Sequence, residues 1–406
     1  MIASKHGFMK AAALLASGLT VAAVAGGVIK GSDPTATALM WLLSVTAVAA
    51  ILGQQAVRSA ALSLPAILIA LALSLGALAG GRPWDRLFLG GLMATVTLLL
   101  VRHRPDALAW GAVAGWAIGI LALAGSFLAF GFPADVWRVI ACAVLLPLFP
   151  VHGAFIGALS LLPGSLPAFL AVALPALGWH ALTPLAESGS LPASGIILAL
   201  ALVGTLYEAL RVSVQFHWPR MTAGLTTILL SLAWWQIGAG GAAAPETAWY
   251  LGAVSLAASG LLLAGHQLEA RYGVLDLDKL RGLAGPMPRL SLLVALLLMA
   301  AMGLPLFGVF PTFMAMMLAV SHASPFTLAA MLAIWLTASL LLMKLLQRLL
   351  FGEPKPDLPY HDLTWTEVAP LVLVLWLLAW TAQVPATHPV PPVVQAQAAS
   401  GERVEP

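Results

Sequence analysis

The stretch Leu145-Leu146-Pro147-Leu148-Phe149-Pro150-Val151-His152-Gly153 sets two prolines and a histidine inside a segment otherwise apolar enough to cross a bilayer. Proline has no backbone N–H and its ring collides with the carbonyl one turn back, so a regular helix does not run through both Pro147 and Pro150. The segment reads as a membrane helix broken in its middle. Backbone released from helical pairing is tolerated at membrane depth only where it is buried in protein or lines a water-filled cavity. Water access to the freed carbonyls is therefore expected at the break, and His152 stands at its far edge.

Working outward, the whole chain is of the same kind. Of its 406 residues 61% are hydrophobic and 9% charged, with a mean hydropathy of +0.97, against about 25% charged in an ordinary soluble domain. Apolar runs of about 17 to 25 residues follow one another from 8–30 to 365–383, bounded by charges, Pro or Gly. They predict an all-α integral membrane protein, a polytopic bundle of about 12 to 14 transmembrane helices. The first run, preceded by Lys5 and Lys10, has a long apolar core and no clear small-x-small cleavage site, so it reads as an anchor rather than a cleaved signal. Residues 386–406, rich in Pro, Ala and Gln, read as a disordered tail.

Charge gives modest further help. Arg58, Arg102, Arg104, Arg211 and Arg220 share one side with Lys5 and Lys10 if every intervening run crosses, which favours a cytoplasmic N-terminus; Arg82 and Arg86 fall opposite. The net charge of +3 points to no nucleic-acid partner, since basic loops of an inner-membrane protein produce such a balance. The single cysteine, Cys142, offers no disulfide and no metal cluster. The polar interruption His266 to Arg289 carries Glu269, Arg271, Asp276, Asp278, Lys279 and Arg281, too many charges for hydrocarbon, and is a loop at the membrane surface.

Three segments carry a family resemblance. Leu146-Pro147-Leu148-Phe149-Pro150-Val151-His152 resembles the K-x-P-L-F-P-x-H signature of the antiporter-like membrane subunits of respiratory complex I, a group that includes Mrp antiporter and membrane-bound hydrogenase subunits. Asp278 to Pro288, then Gly303-Leu304-Pro305-Leu306-Phe307-Gly308-Val309-Phe310, resemble that family's L-G-G-L-x-x-x-M-P loop and G-L-P-x-x-x-G-F helix. Leu345 to Gly352, with Asp362 to Glu367, resemble the closing helices of the chain M type. The matches divide the chain into N-terminal helices, 1–105, with no clear family motif, an antiporter-like core, 106–385, and the tail. Pro147, Pro150, Pro305 and Pro311 are the expected helix-breaking positions.

The departures are equally specific. The family lysine two residues before the first proline is Leu145 here; the lysine of the next helix would fall near Pro175; the acid after the Gly-Phe motif would fall near Thr312; and no acid occurs between Asp106 and Asp135 to supply the early glutamate. Proton pumping in the family is thought to use such buried charges, whose protonation a neighbouring charge can switch. The resemblance thus implies a membrane subunit of a proton- or cation-translocating NADH-quinone oxidoreductase-like or Mrp-type assembly, with reduced or altered proton conduction. Any redox catalysis would belong to partner subunits in a bacterial inner membrane, with a soluble partner possible at the cytoplasmic face.

Three residues are left as proton-transfer candidates. His152 is either a relay or a hydrogen-bonding group that fixes the break. Glu208 and Arg211, three apart on a helix, can pair on one face. Lys344 either replaces a family charge or snorkels where its helix leaves the membrane beside Arg348 and Gly352. No phosphate loop, metal spacing or nucleophile elbow accompanies them, so no cofactor, metal or catalytic residue is expected. Two other readings stand beside the translocating one: a membrane partner of a CO2- or bicarbonate-accumulating complex with a soluble zinc protein, and a non-conducting membrane scaffold.

Overall fold

A computed structural model of the chain describes residues 2–31, 33–55, 62–81, 84–103, 107–128, 133–188, 194–240, 245–273, 276–319, 325–354 and 360–383. Arg58, Arg82, Arg104 and the tail 386–406 lie outside the described residues. The helices are α1 (Ile2–Ala25), α2 (Pro34–Gly53), α3 (Ser63–Ala79), α4 (Trp84–His103), α5 (Ala107–Leu128), α6 (Ala134–Leu145), α7 (Gly153–Leu161), α8 (Leu166–Glu187), α9 (Ser194–Ser213), α10 (Trp218–Gly240), α11 (Pro245–Tyr272), α12 (Pro288–Met302), α13 (Val309–Ala319), α14 (Pro325–Leu350) and α15 (Trp365–Thr381). Eight of them are long and apolar enough to cross a membrane. α6 and α7 are separated by the proline-rich stretch, and α12 and α13 by the turn at Gly303 to Gly308, so these four shorter helices pair as two interrupted ones. The protein is an all-helical, multi-pass membrane bundle.

Burial sorts the helices into centre and rim. The long window of α11 is 94% buried and that of α8 is 83%, whereas α1 is 17% and α4 28%. The central helix α11 packs on α8, α15, α10, α12 and α13. Apolar side chains such as Leu206 and Leu210 on α9, and Leu336 and Leu340 on α14, point outward, as helices facing lipid require.

Two interruptions open the bundle interior. In the first, α6 ends at Leu145 and α7 begins at Gly153, so the proline-rich stretch is the break itself, and Pro147 and Pro150 lie inside it. In the second, α12 ends on Gly303, whose φ of 95° is left-handed and reverses the chain at little steric cost. Pro305 lies in this gap. Pro311 does not break a helix: it is the third residue of α13, in the first turn, where a missing N–H costs no helical bond.

The last helix is fastened at the end of the bundle that carries the 276–288 loop. The Asp362 carboxylate accepts from the N–H groups of Arg289 (2.9 Å) and Leu290 (3.2 Å), capping the first turn of α12. Arg271, at the end of α11, donates to the Asp362 carbonyl at 3.1 Å and pairs with Glu367. Glu367 completes a capping box with Thr364 at the start of α15.

Candidate functional site

The first break is held open by groups reaching in from neighbouring helices. Trp234 of α10, fully buried, donates its indole N–H to the Leu146 carbonyl at 3.1 Å, and the equally buried Trp116 of α5 donates to the Ala154 carbonyl at 3.0 Å. Each bond satisfies a buried group near the α6–α7 interruption. Glycines supply the room. A Cβ on Gly178 of α8 would lie 2.8 Å from the Leu146 nitrogen, and one on Gly204 of α9 would lie 2.7 Å from the Cβ of Phe149.

His152 caps the start of α7 and is 5% exposed; its Nε2 lies 2.8 Å from Oε1 of Glu208 on α9, which is 1% exposed. The same Oε1 accepts from Arg211 at 3.1 Å, one turn nearer the end of α9. Both i, i+3 residues therefore face α7, and the Arg211 side chain remains 30% exposed. The other carboxylate oxygen faces Gly224 of α10, where a Cβ would stand 3.1 Å from it. The imidazole is flanked by Phe149 and Tyr207 at 5.5 and 5.7 Å between ring centroids. Its Nδ1 is buried and has no hydrogen-bond partner among the described residues. One turn deeper on α9, Thr205 bonds Ser231 of α10 at 2.7 Å and back-bonds the Ala201 carbonyl.

With Glu208 ionised, Nε2 of a neutral His152 carries the proton and donates, which leaves the Nδ1 lone pair facing the interior. The arrangement is a hydrogen-bonded chain from a helix break to an arginine near the bundle surface. It contains one orienting cation, one acceptor and one group able to gain or lose a proton. A carboxylate so buried is tolerated because both neighbours donate to it.

The other candidate lies elsewhere. Lys344 is on the exposed face of α14, with no bond to His152, Glu208 or Arg211 among the described residues, in keeping with snorkelling. The positions where the resemblance places lysines and an acid are packed and uncharged: Leu145 is 1% exposed, Pro175 is buried within α8, and the buried Thr312 donates its hydroxyl to the Gly308 carbonyl. Sequence reasoning named His152 and Glu208 separately but missed their contact across 56 positions, and missed the tryptophan donors altogether. A weak signal for the latter was present, since most buried tryptophans find a partner for the indole N–H, though the buried indole nitrogens of Trp235 and Trp335 have none among the described residues.

An all-helical multi-pass bundle opened at two interior points, one of them carrying a buried His–Glu–Arg chain, defines the class of protein. Solved structures narrow it. A chain of respiratory complex I from Thermus thermophilus with bound NADH superposes with a TM-score of 0.73 at 22% identity, over 88% of this chain and 82% of that one. A chain of the Mrp complex from Dietzia sp. DQ12-45-1b gives 0.77 at 15%, over 95% and 91%. A chain of the membrane-bound sulfane sulfur reductase, an archaeal respiratory membrane complex, gives 0.72 at 17%, over 86% and 64%. This chain has their fold, as its resemblance to antiporter-like membrane subunits implied. No protein-family model and no curated protein matches its sequence.

Proposed function

We propose that this protein is a membrane subunit of a multisubunit, cation-translocating assembly of the complex I or Mrp type in a bacterial inner membrane, and that its proton route runs through His152 and Glu208 in place of the family's lysines. The reading rests on one observation, the buried His152–Glu208–Arg211 chain at the first helix break. In the proposed step a proton binds Nδ1 of His152, the Nε2–H bond breaks and its proton passes to Oε1 of Glu208. The protonated carboxyl then releases it toward the partly exposed Arg211 end. Arg211 positions the carboxylate through its bond to Oε1.

A scaffold role is the second reading, favoured by the uncharged residues at Leu145, Pro175 and Thr312. Affinity purification of the tagged chain from native membranes, followed by reconstitution of what co-purifies into vesicles, separates the two. The proposal expects other membrane subunits in the eluate and proton uptake that Glu208→Gln reduces at least tenfold. Proton uptake unchanged by Glu208→Gln and by His152→Phe would leave the scaffold reading.

A further inference from the structure

A second feature lies apart from this site, at the end of the bundle where α2, α4 and α6 begin and α8 ends. A cavity of 540 Å³ opens there, within the range of about 300–1,000 Å³ usual for small-ligand sites. Its lining carries both signs of charge: Asp33 at the start of α2, Asp85 and Arg86 in the first turn of α4, Glu187 as the last residue of α8, His180, and Arg138 one turn into α6. Below the mouth the wall turns apolar. Ala141, Cys142 and Leu145 continue the Arg138 face of α6 at helical spacing, with Leu39 and Leu123 also in the lining, so the apolar part runs about 6 Å along α6.

This division selects the ligand class. No group of three His, Cys, Asp or Glu side chains capable of holding a metal ion occurs among the described residues, and a bare ion moving past Ala141 would have nothing to pair with. An occupant needs a head with both charges and an apolar body. Arg138 pairs with Asp135 at 3.1 Å, but its Nε is buried without a hydrogen-bond partner among the described residues. Asp85 accepts from the Arg86 N–H through Oδ1. Glu187 is exposed. Asp85, Arg138 and Glu187 lie near helix ends, where a helix that crosses a bilayer reaches the head-group region.

We propose that the cavity binds one amine-bearing phospholipid, with its phosphate at Arg138, its ammonium between Asp85 and Glu187, and the start of an acyl chain against Ala141, Cys142 and Leu145. The inference is independent of the His152–Glu208 route.

Native mass spectrometry of the protein, purified with its membrane partners in mild detergent, tests it. Phosphatidylethanolamine and phosphatidylglycerol of identical chains are added in turn; they share the phosphate and differ in the ammonium. One tightly retained phosphatidylethanolamine is expected, held at least tenfold more strongly than phosphatidylglycerol. Arg138→Gln, which removes a charge-assisted bond, is expected to weaken retention about tenfold or more. Ala141→Leu, which narrows the wall and leaves the mouth intact, is expected to do the same. Equal retention of the two lipids, or retention unchanged in both variants, overturns the proposal.

Discussion

Replacing His152 by Phe is expected to be costly in a way that a second substitution partly repairs. The variant keeps an aromatic ring between Phe149 and Tyr207 but removes the Nε2 donor 2.8 Å from Glu208. A carboxylate that is 1% exposed is left with Arg211 alone, and removing one partner of a buried pair costs about 3–5 kcal/mol, so the remaining arginine puts His152→Phe near about 3 kcal/mol. Glu208→Gln on its own keeps the shape and both contacts while exchanging charge-assisted bonds for neutral ones, at about 1 kcal/mol. Arg211, 30% exposed near the end of its helix, can turn its freed guanidinium toward the surface. In the double variant no charge is stranded, and one unsatisfied amide group costs about 1–2 kcal/mol. Glu208→Gln is therefore expected to destabilise the natural sequence by about 1 kcal/mol yet stabilise His152→Phe by about 1–2 kcal/mol, a coupling of about 2–3 kcal/mol. Equilibrium unfolding of all four proteins in mixed detergent micelles measures the cycle. Additive effects, or a double variant less stable than His152→Phe, would refute a charged Glu208 held by His152.

Other perturbations probe the frame around the site. Trp234→Phe strands the Leu146 carbonyl and is expected to cost about 1–3 kcal/mol from that group alone, read in the same unfolding assay. Gly178→Ala drives a methyl group to 2.8 Å from the Leu146 nitrogen, an overpacking expected to cost about 1–3 kcal/mol, with a matching fall in thermal midpoint. Lys344→Ala, on an exposed face of α14, is expected to change stability by less than about 0.5 kcal/mol and to leave proton uptake in reconstituted vesicles unaltered.

The architecture was legible because its signals are local. Apolar runs report spans, and Pro147 and Pro150 announce a break without reference to any distant residue. Pro305 announced the second break as well, with Gly303 supplying its turn. Pro311 misled because proline is unfavourable inside a helix yet acceptable in its first turn, and the residue alone does not say where a helix starts. The site was half legible. A histidine beside two prolines, and an acid three residues from an arginine, are readable as candidates. That they meet depends on α9 passing the break at Gly204, against Phe149, a packing relation that one sequence does not encode in any spacing. The cavity was invisible for the same reason, since its wall is assembled from α2, α4, α5, α6 and α8. The structural likeness spans 95% of the chain for the Mrp-complex chain and so reaches into the first 105 residues, where no motif was found; helix packing persists where sequence signatures do not.

The cap that Asp362 places on α12 has a consequence for biogenesis. The two N–H groups it satisfies belong to Arg289 and Leu290, and the residue that satisfies them is translated more than 70 positions later, beyond α13 and α14. Arg271 at the end of α11 waits for the same segment, since its partners are the Asp362 carbonyl and Glu367. A nascent chain that has inserted everything up to Leu350 thus still carries a helix start and a cation without their partners. The C-terminal half of the bundle locks only when the segment ahead of α15 arrives, which makes the final helix the clasp of the assembly. Chains cut short before residue 362 are expected to be targets for membrane quality control even though most of their spans are complete.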